Sequence, residues 1–173
     1  MMPTAQMSTL IVLFGLLGIA VASDLRRHRI PNLLILTGLA LGLAGQFFMN
    51  GLAGLGQGVL GGLVGLGLFL LLYTVGGMAA GDVKLMAMVG AFLTPQQALL
   101  AAMFSLMAGG LCGLALVLWH GQARQTLGRY GVMLRTHSYL APGAGEVAGK
   151  PFPYAIAILI GTLASSLWFH STP

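Results

Sequence analysis

Two aspartates occur in the 173 residues, and each stands where an apolar stretch meets a short polar one: Asp24 in SDLRRHRIPN and Asp82 in GGMAAGDVKLM. A carboxylate at the edge of a bilayer costs on the order of 2.5–3.5 kcal/mol on insertion scales, so a chain this poor in charge is expected to carry such groups only where they serve a purpose. When two carboxylates lie close together their repulsion raises one pKa, and the pair then holds one acid and one base. Such a pair can hydrolyse a peptide bond. The base takes a proton from water as the water attacks the carbonyl, and the acid protonates first the carbonyl oxygen and later the leaving amine. Gly81, immediately before Asp82, would let a substrate or an opposing helix approach the backbone.

Each aspartate also has a structural reading. Asp82 can be the N-cap of the helix that follows it. Asp24 can be an ordinary juxtamembrane ion pair with Arg26 or Arg27. Taken together, as the only aspartates and on one face of the membrane, the two favour chemistry over both.

The elements that must position them are membrane helices. Hydrophobic residues make up 57% of the chain and charged residues 6%, with a mean hydropathy of +0.92, whereas about a quarter of the residues of soluble domains are charged. The expected fold is an all-α polytopic bundle in a single integral domain, 1–173, with about six transmembrane helices near Met7–Ala22, Leu33–Met49, Gly56–Val75, Val83–Leu93, Gln97–Trp119 and Pro153–Phe169. Ala20-Val21-Ala22 before Ser23 resembles a signal-peptide cleavage site, but the basic cluster follows the apolar run instead of preceding it, so the first helix is expected to be retained. The fourth segment is short, and extending it back through Gly77–Gly81 would bring Asp82 to membrane depth. Pro31 suits the first turn of the second helix and Pro95 a break between the fourth and fifth.

Charge sets the orientation. With the N-terminus outside, six crossings put 24–31, 76–82 and 120–150 on the cytoplasmic side, and all eight Lys and Arg residues, including Lys84, then lie inside or at the inner rim. The same parity brings Asp24 and Asp82 to one face. The net charge of +5 therefore reports topology and not nucleic-acid binding, since no basic stripe is interleaved with aromatics. Glycines at four-residue intervals, Gly38 with Gly42 and Gly54 with Gly58 and Gly62, suit close helix packing in lipid. In the 120–150 loop, Leu127, Tyr130 and Leu134 recur at helical spacing, so the stretch reads either as a surface amphipathic helix or as a solvated loop that sets topology.

Lys84 can tune the carboxylates, contact substrate or anchor the helix rim, and Asn32 can hydrogen-bond in the site or to local backbone. Glu146, the one glutamate, reads as solvated near Lys150. His28, His120, His137 and His170 lack ligand spacing and Cys112 is alone, so neither metal nor other cofactor is expected.

Asp24 with Ile30-Pro31-Asn32, then Gly81-Asp82-Val83-Lys84-Leu85-Met86, and finally Pro153-Tyr154-Ala155, resemble in order and spacing the bacterial type IV prepilin peptidases, GxGD-type aspartic membrane proteases. Ala79 replaces the first glycine of that motif, and Ala155 stands where glycine is often found. The resemblance implies that Asp24 and Asp82 are the catalytic pair, with Gly81, Lys84 and Asn32 supporting or binding substrate. The implied activity is cleavage of cytoplasm-facing leader peptides from prepilins, in the bacterial inner membrane and with no methyltransferase domain, as in the short stand-alone enzymes of tight-adherence pilus systems. The partners implied are a pilin-like substrate and the bilayer, with the oligomeric state open. Two other classes remain possible: a small ion- or proton-coupled transporter whose aspartates line a pathway, and a non-catalytic assembly subunit of a pilus or secretion apparatus.

Overall fold

The computed structural model describes residues 4–121 and 153–171, with 128, 132 and 133 between them. By internal contacts the chain divides into two units, one formed by Met1–Ala108 with Pro153–Pro173 and the other by Gly109–Phe152. The 120–150 stretch, with its candidate amphipathic helix, lies almost wholly outside the described residues.

Every regular element among the described residues is a helix: α1 (Thr4–Arg27), α2 (Asn32–Thr74), α3 (Ala80–Ala91), α4 (Pro95–Trp119) and α5 (Tyr154–Ser171). Three of them, α1, α2 and α4, contain spans long and apolar enough to cross a membrane. The all-helical membrane fold is therefore as expected, and these three helices are the ones whose length and composition suffice for a crossing.

Drawn straight, the 43 residues of α2 would reach about 65 Å, twice the thickness of a hydrocarbon core. They do not run straight. Asn50 (φ −135°, ψ 17°) and Gly51 (φ 61°, ψ −144°) leave helical geometry, and the positive φ at the second is one that glycine adopts without steric cost. The chain doubles back there. A methyl group added at Gly54 would meet the Gln46 carbonyl oxygen, and one at Gly58 would lie 3.1 Å from Leu43 Cδ2, approaches that a continuous helix excludes over 8 and 15 residues. The two arms, 32–49 and 52–74, thus match the second and third expected segments.

The short helix α3 sits between these arms. Nine of its 12 residues are buried, which is why its sequence is apolar on all sides instead of amphipathic. Glycine allows the fit. A methyl at Gly61 would meet the Gly90 carbonyl oxygen and lie 2.6 Å from that of Leu93, while one at Gly65 would lie 2.6 Å from the Met86 oxygen. From the other arm, a methyl at Gly42 would lie 2.8 Å from Phe92 Cδ2, and one at Gly38 would overlap the Met88 side chain. In lipid, where apolar burial between helices gains little, such backbone approach is a main source of association. Gly38, Gly42, Gly54 and Gly58 act as their spacing suggests. Gly62 is only half-buried, and Gly61 with Gly65 makes the closest contacts on the second arm.

Buried polar groups close the far end of α3. Gln46 donates from Nε2 to the carbonyl oxygen of Phe92, 2.9 Å away, satisfying an acceptor that the end of the helix leaves open. Thr94 and Gln97 then start α4 with a reciprocal capping box around Pro95: the Gln97 N–H donates to Thr94 Oγ1 and the Thr94 N–H to Gln97 Oε1, at 3.4 and 3.1 Å. The first half of α4 packs against α5, where Gly161 lies against the backbone of Ser105 and Ser165 Oγ donates to the Gln97 carbonyl oxygen at 3.3 Å. In the second unit α4 ends at Trp119, with the His120 N–H donating to the Leu116 carbonyl and Gly121 at φ 67°.

Candidate active site

Asp24 lies in the last turn of α1, which runs five residues past the expected end at Ala22. Its carbonyl oxygen accepts the N–H of His28 at 2.8 Å, and His28, at φ 48°, takes the left-handed conformation that ends the helix. Ser23 Oγ donates to the Arg29 carbonyl oxygen at 2.9 Å, holding the turn that leads into α2. Pro31 proves to be the N-cap of α2, one position before the first turn assigned to it from sequence.

The Asp24 side chain points inward and is 7% exposed, while Arg26 and Arg27 are exposed. Among the described residues Asp24 forms no ion pair with either arginine, so the juxtamembrane ion-pair reading has no support in the structure. Its Oδ2 accepts instead the backbone N–H of Ala155, 3.3 Å away. Ala155 is the second residue of α5 and belongs to the Pro-Tyr-Ala segment.

Asp82 is 6% exposed and is the third residue of α3, whose N-cap is Ala79. The simple N-cap reading is therefore displaced by three positions. The carboxylate still serves the helix start, since the Ala79 backbone N–H hydrogen-bonds to it in the manner of a capping-box residue. It also lies close enough to Asp24 for the two charges to act on each other.

Lys84 and Asn32 meet at the same end of the bundle: Lys84 Nζ donates to Asn32 Oδ1 at 3.2 Å, both groups being exposed. Asn32, the first residue of α2, thus bonds across to α3 and not to its own helix. Gly81 faces Ile30, and a methyl added to it would lie 3.7 Å from Ile30 Cδ1, an ordinary contact. Packing within the chain thus leaves room for a side chain at position 81, and its close-approach role would concern substrate alone.

All five residues singled out from sequence therefore gather at one end of the helices, drawn from α1, α2 and α3. Ala155, quoted from sequence only as part of the Pro-Tyr-Ala segment, was given no role there because its contribution is a backbone N–H, which no side chain advertises. The available signal was its place in the first turn of a helix after Pro153, where backbone donors lack intrahelical partners. Phe69, fully buried in α2, backs this region by meeting the Tyr154 ring edge-on with centroids 6.0 Å apart.

Two buried carboxylates that sense each other, with one oxygen bonded to a helix start, have the elements of acid–base hydrolysis. Residues 11–114 match the family model of the type IV leader peptidase family, a stretch that includes Asp24, Asn32, Gly81, Asp82 and Lys84 and ends before α5. No curated protein and no solved structure matches the chain.

Proposed function

The chain belongs to the type IV leader peptidase family, and from that premise we propose that it is a membrane aspartic endopeptidase that removes the cytoplasm-facing leader peptides of type IV-like prepilins, with Asp24 and Asp82 as the catalytic pair. The observation that carries this reading is the burial of both carboxylates at one end of the bundle within electrostatic reach of each other.

In the proposed reaction one carboxylate is ionised and the other protonated. The ionised group takes a proton as water attacks the scissile carbonyl carbon, and the protonated group gives its proton to the carbonyl oxygen. Collapse of the tetrahedral diol returns that proton to the pair, while the amine nitrogen takes the other proton and the C–N bond breaks. The pair ends with one proton, as it began, so no cofactor is consumed.

The cytoplasmic assignment is supported by the exposed Arg26, Arg27 and Arg29 and by Lys84, which all flank the carboxylates. Such a site, in the inner membrane of a bacterium, would meet a pilin-like substrate whose leader lies at the inner rim. A transporter reading needs carboxylates near the middle of their spans. Asp24 is instead in the last turn of α1 and Asp82 in the first of α3.

The test is incubation of the purified full-length protein, in lipid nanodiscs, with a synthetic leader-bearing pilin-like peptide. Mass spectrometry should find a single cut at the leader junction. An intact peptide, together with proton uptake into liposomes carrying the protein, would support the transporter instead.

A further inference from the structure

Two carboxylates are buried within electrostatic reach of each other, and among the described residues no Lys, Arg or His side chain forms an ion pair with either. Lys84, two residues after Asp82 in sequence, gives its Nζ to Asn32. What meets the carboxylates is backbone at two helix starts: the Ala79 N–H on Asp82, ahead of α3, and the Ala155 N–H on Asp24, in α5. The first N–H groups of a helix have no intrahelical partner, and they carry the partial positive charge of its N-terminus. The Asp82 contact is local, three residues away along the chain. The Asp24 contact joins residues 131 apart, and Ala155 is fully buried, so water does not take the place of this donor.

We propose that the Ala155 backbone N–H is a positioning group of the active site, pinning one oxygen of Asp24 so that the other is the one presented to the reaction. This deepens the peptidase reading and rests on it. It gives α5, which lies outside the matched family region, a defined part in catalysis through a main-chain atom. It also accounts for a small residue at 155: the position needs its N–H, and full burial leaves little room for a side chain.

The direct test deletes the N–H and nothing else. Full-length protein assembled by ligation of a synthetic C-terminal segment carries L-lactate in place of Ala155, an amide-to-ester exchange. A hydrogen bond to a charged group sets the expected loss in kcat at about tenfold or more, with KM within about twofold of the parent. Ala155→Gly, which keeps the N–H, should lose less kcat than the ester protein. A second readout does not need turnover. Because Asp24 and Asp82 are the only aspartates, carboxyl-labelled aspartate in an Asp82→Asn background marks Asp24 alone, and its infrared carboxyl band should move on ester exchange.

A parental kcat in the ester protein overturns the proposal. So does a lost kcat with an unmoved band, since the loss then comes through the fold. If the parent protein cleaves no leader peptide, the peptidase reading falls, and the band alone decides whether this N–H holds Asp24.

Discussion

Lys84 Nζ lies 3.2 Å from Asn32 Oδ1, tying the helix that carries Asp82 to the helix that begins eight residues after Asp24. The bond spans 52 positions of sequence and is exposed, so it adds little to the stability of the fold, and on the proposed reading it serves the rim of the site. Lys84→Met and Asn32→Ala should each lower kcat/KM roughly fivefold with little change in thermal unfolding, because loss of one solvent-accessible hydrogen bond is a modest effect. The double variant should be no worse than either single one. Losses that multiply would show that the two side chains act separately.

Close backbone packing around α3 makes a second expectation. Gly61→Ala and Gly90→Ala each force a methyl onto opposing backbone, which cannot rotate away, and should destabilise the protein by about 1–3 kcal/mol or more. Gly15→Ala and Gly18→Ala on α1 have nothing within 4 Å and should be neutral. Thermal unfolding in detergent separates the pairs, and equal behaviour of all four would refute the packing of α3 between the arms of α2.

Much of this arrangement was legible from residue order. Hydropathy marked the helices within a few residues, and the positions of Arg and Lys brought both aspartates to one end before any contact was known. The break between the two arms falls in the gap left between the second and third expected segments, at Asn50-Gly51, whose residue types suit a reversal. Other features were hidden for physical reasons. Gln46 lies in an apolar run, and its pairing with Phe92 depends on a helix end 46 residues away. Gly61 and Gly65 were passed over because a glycine-rich helix offers several four-residue registers, and only the partner α3 chooses among them. The Ala155 contact belongs to the backbone.

Orientation can be read with reporter fusions. Fusions after Arg29 and Arg135 should report cytoplasmic and one after Asn50 external, since the Asn50-Gly51 reversal lies between arms that begin beside Asp24 and end before Asp82. An external signal at Arg135 would overturn the six-crossing topology.

Acid–base coupling predicts the pH dependence. One carboxyl must be ionised and the other protonated, so the cleavage rate should rise and then fall with pH, with two apparent pKa values that belong to the pair and not to either residue. The acid limb is lost when both are protonated and the alkaline limb when both are ionised. A rate that only rises with pH would point to a single general base.

The central claim is that Asp24 and Asp82 perform the hydrolysis together, and the most direct measurement is leader-peptide cleavage by Asp24→Asn and Asp82→Asn proteins reconstituted at equal level. Asparagine preserves size and can still accept the Ala79 and Ala155 N–H bonds, so a purely structural aspartate should tolerate the exchange. Each variant should lose at least ~10²-fold in rate, the lower end of what a positioned acid–base group contributes, while its unfolding temperature stays near that of the parent. Cleavage by Asp24→Asn at the parental rate would contradict the assignment.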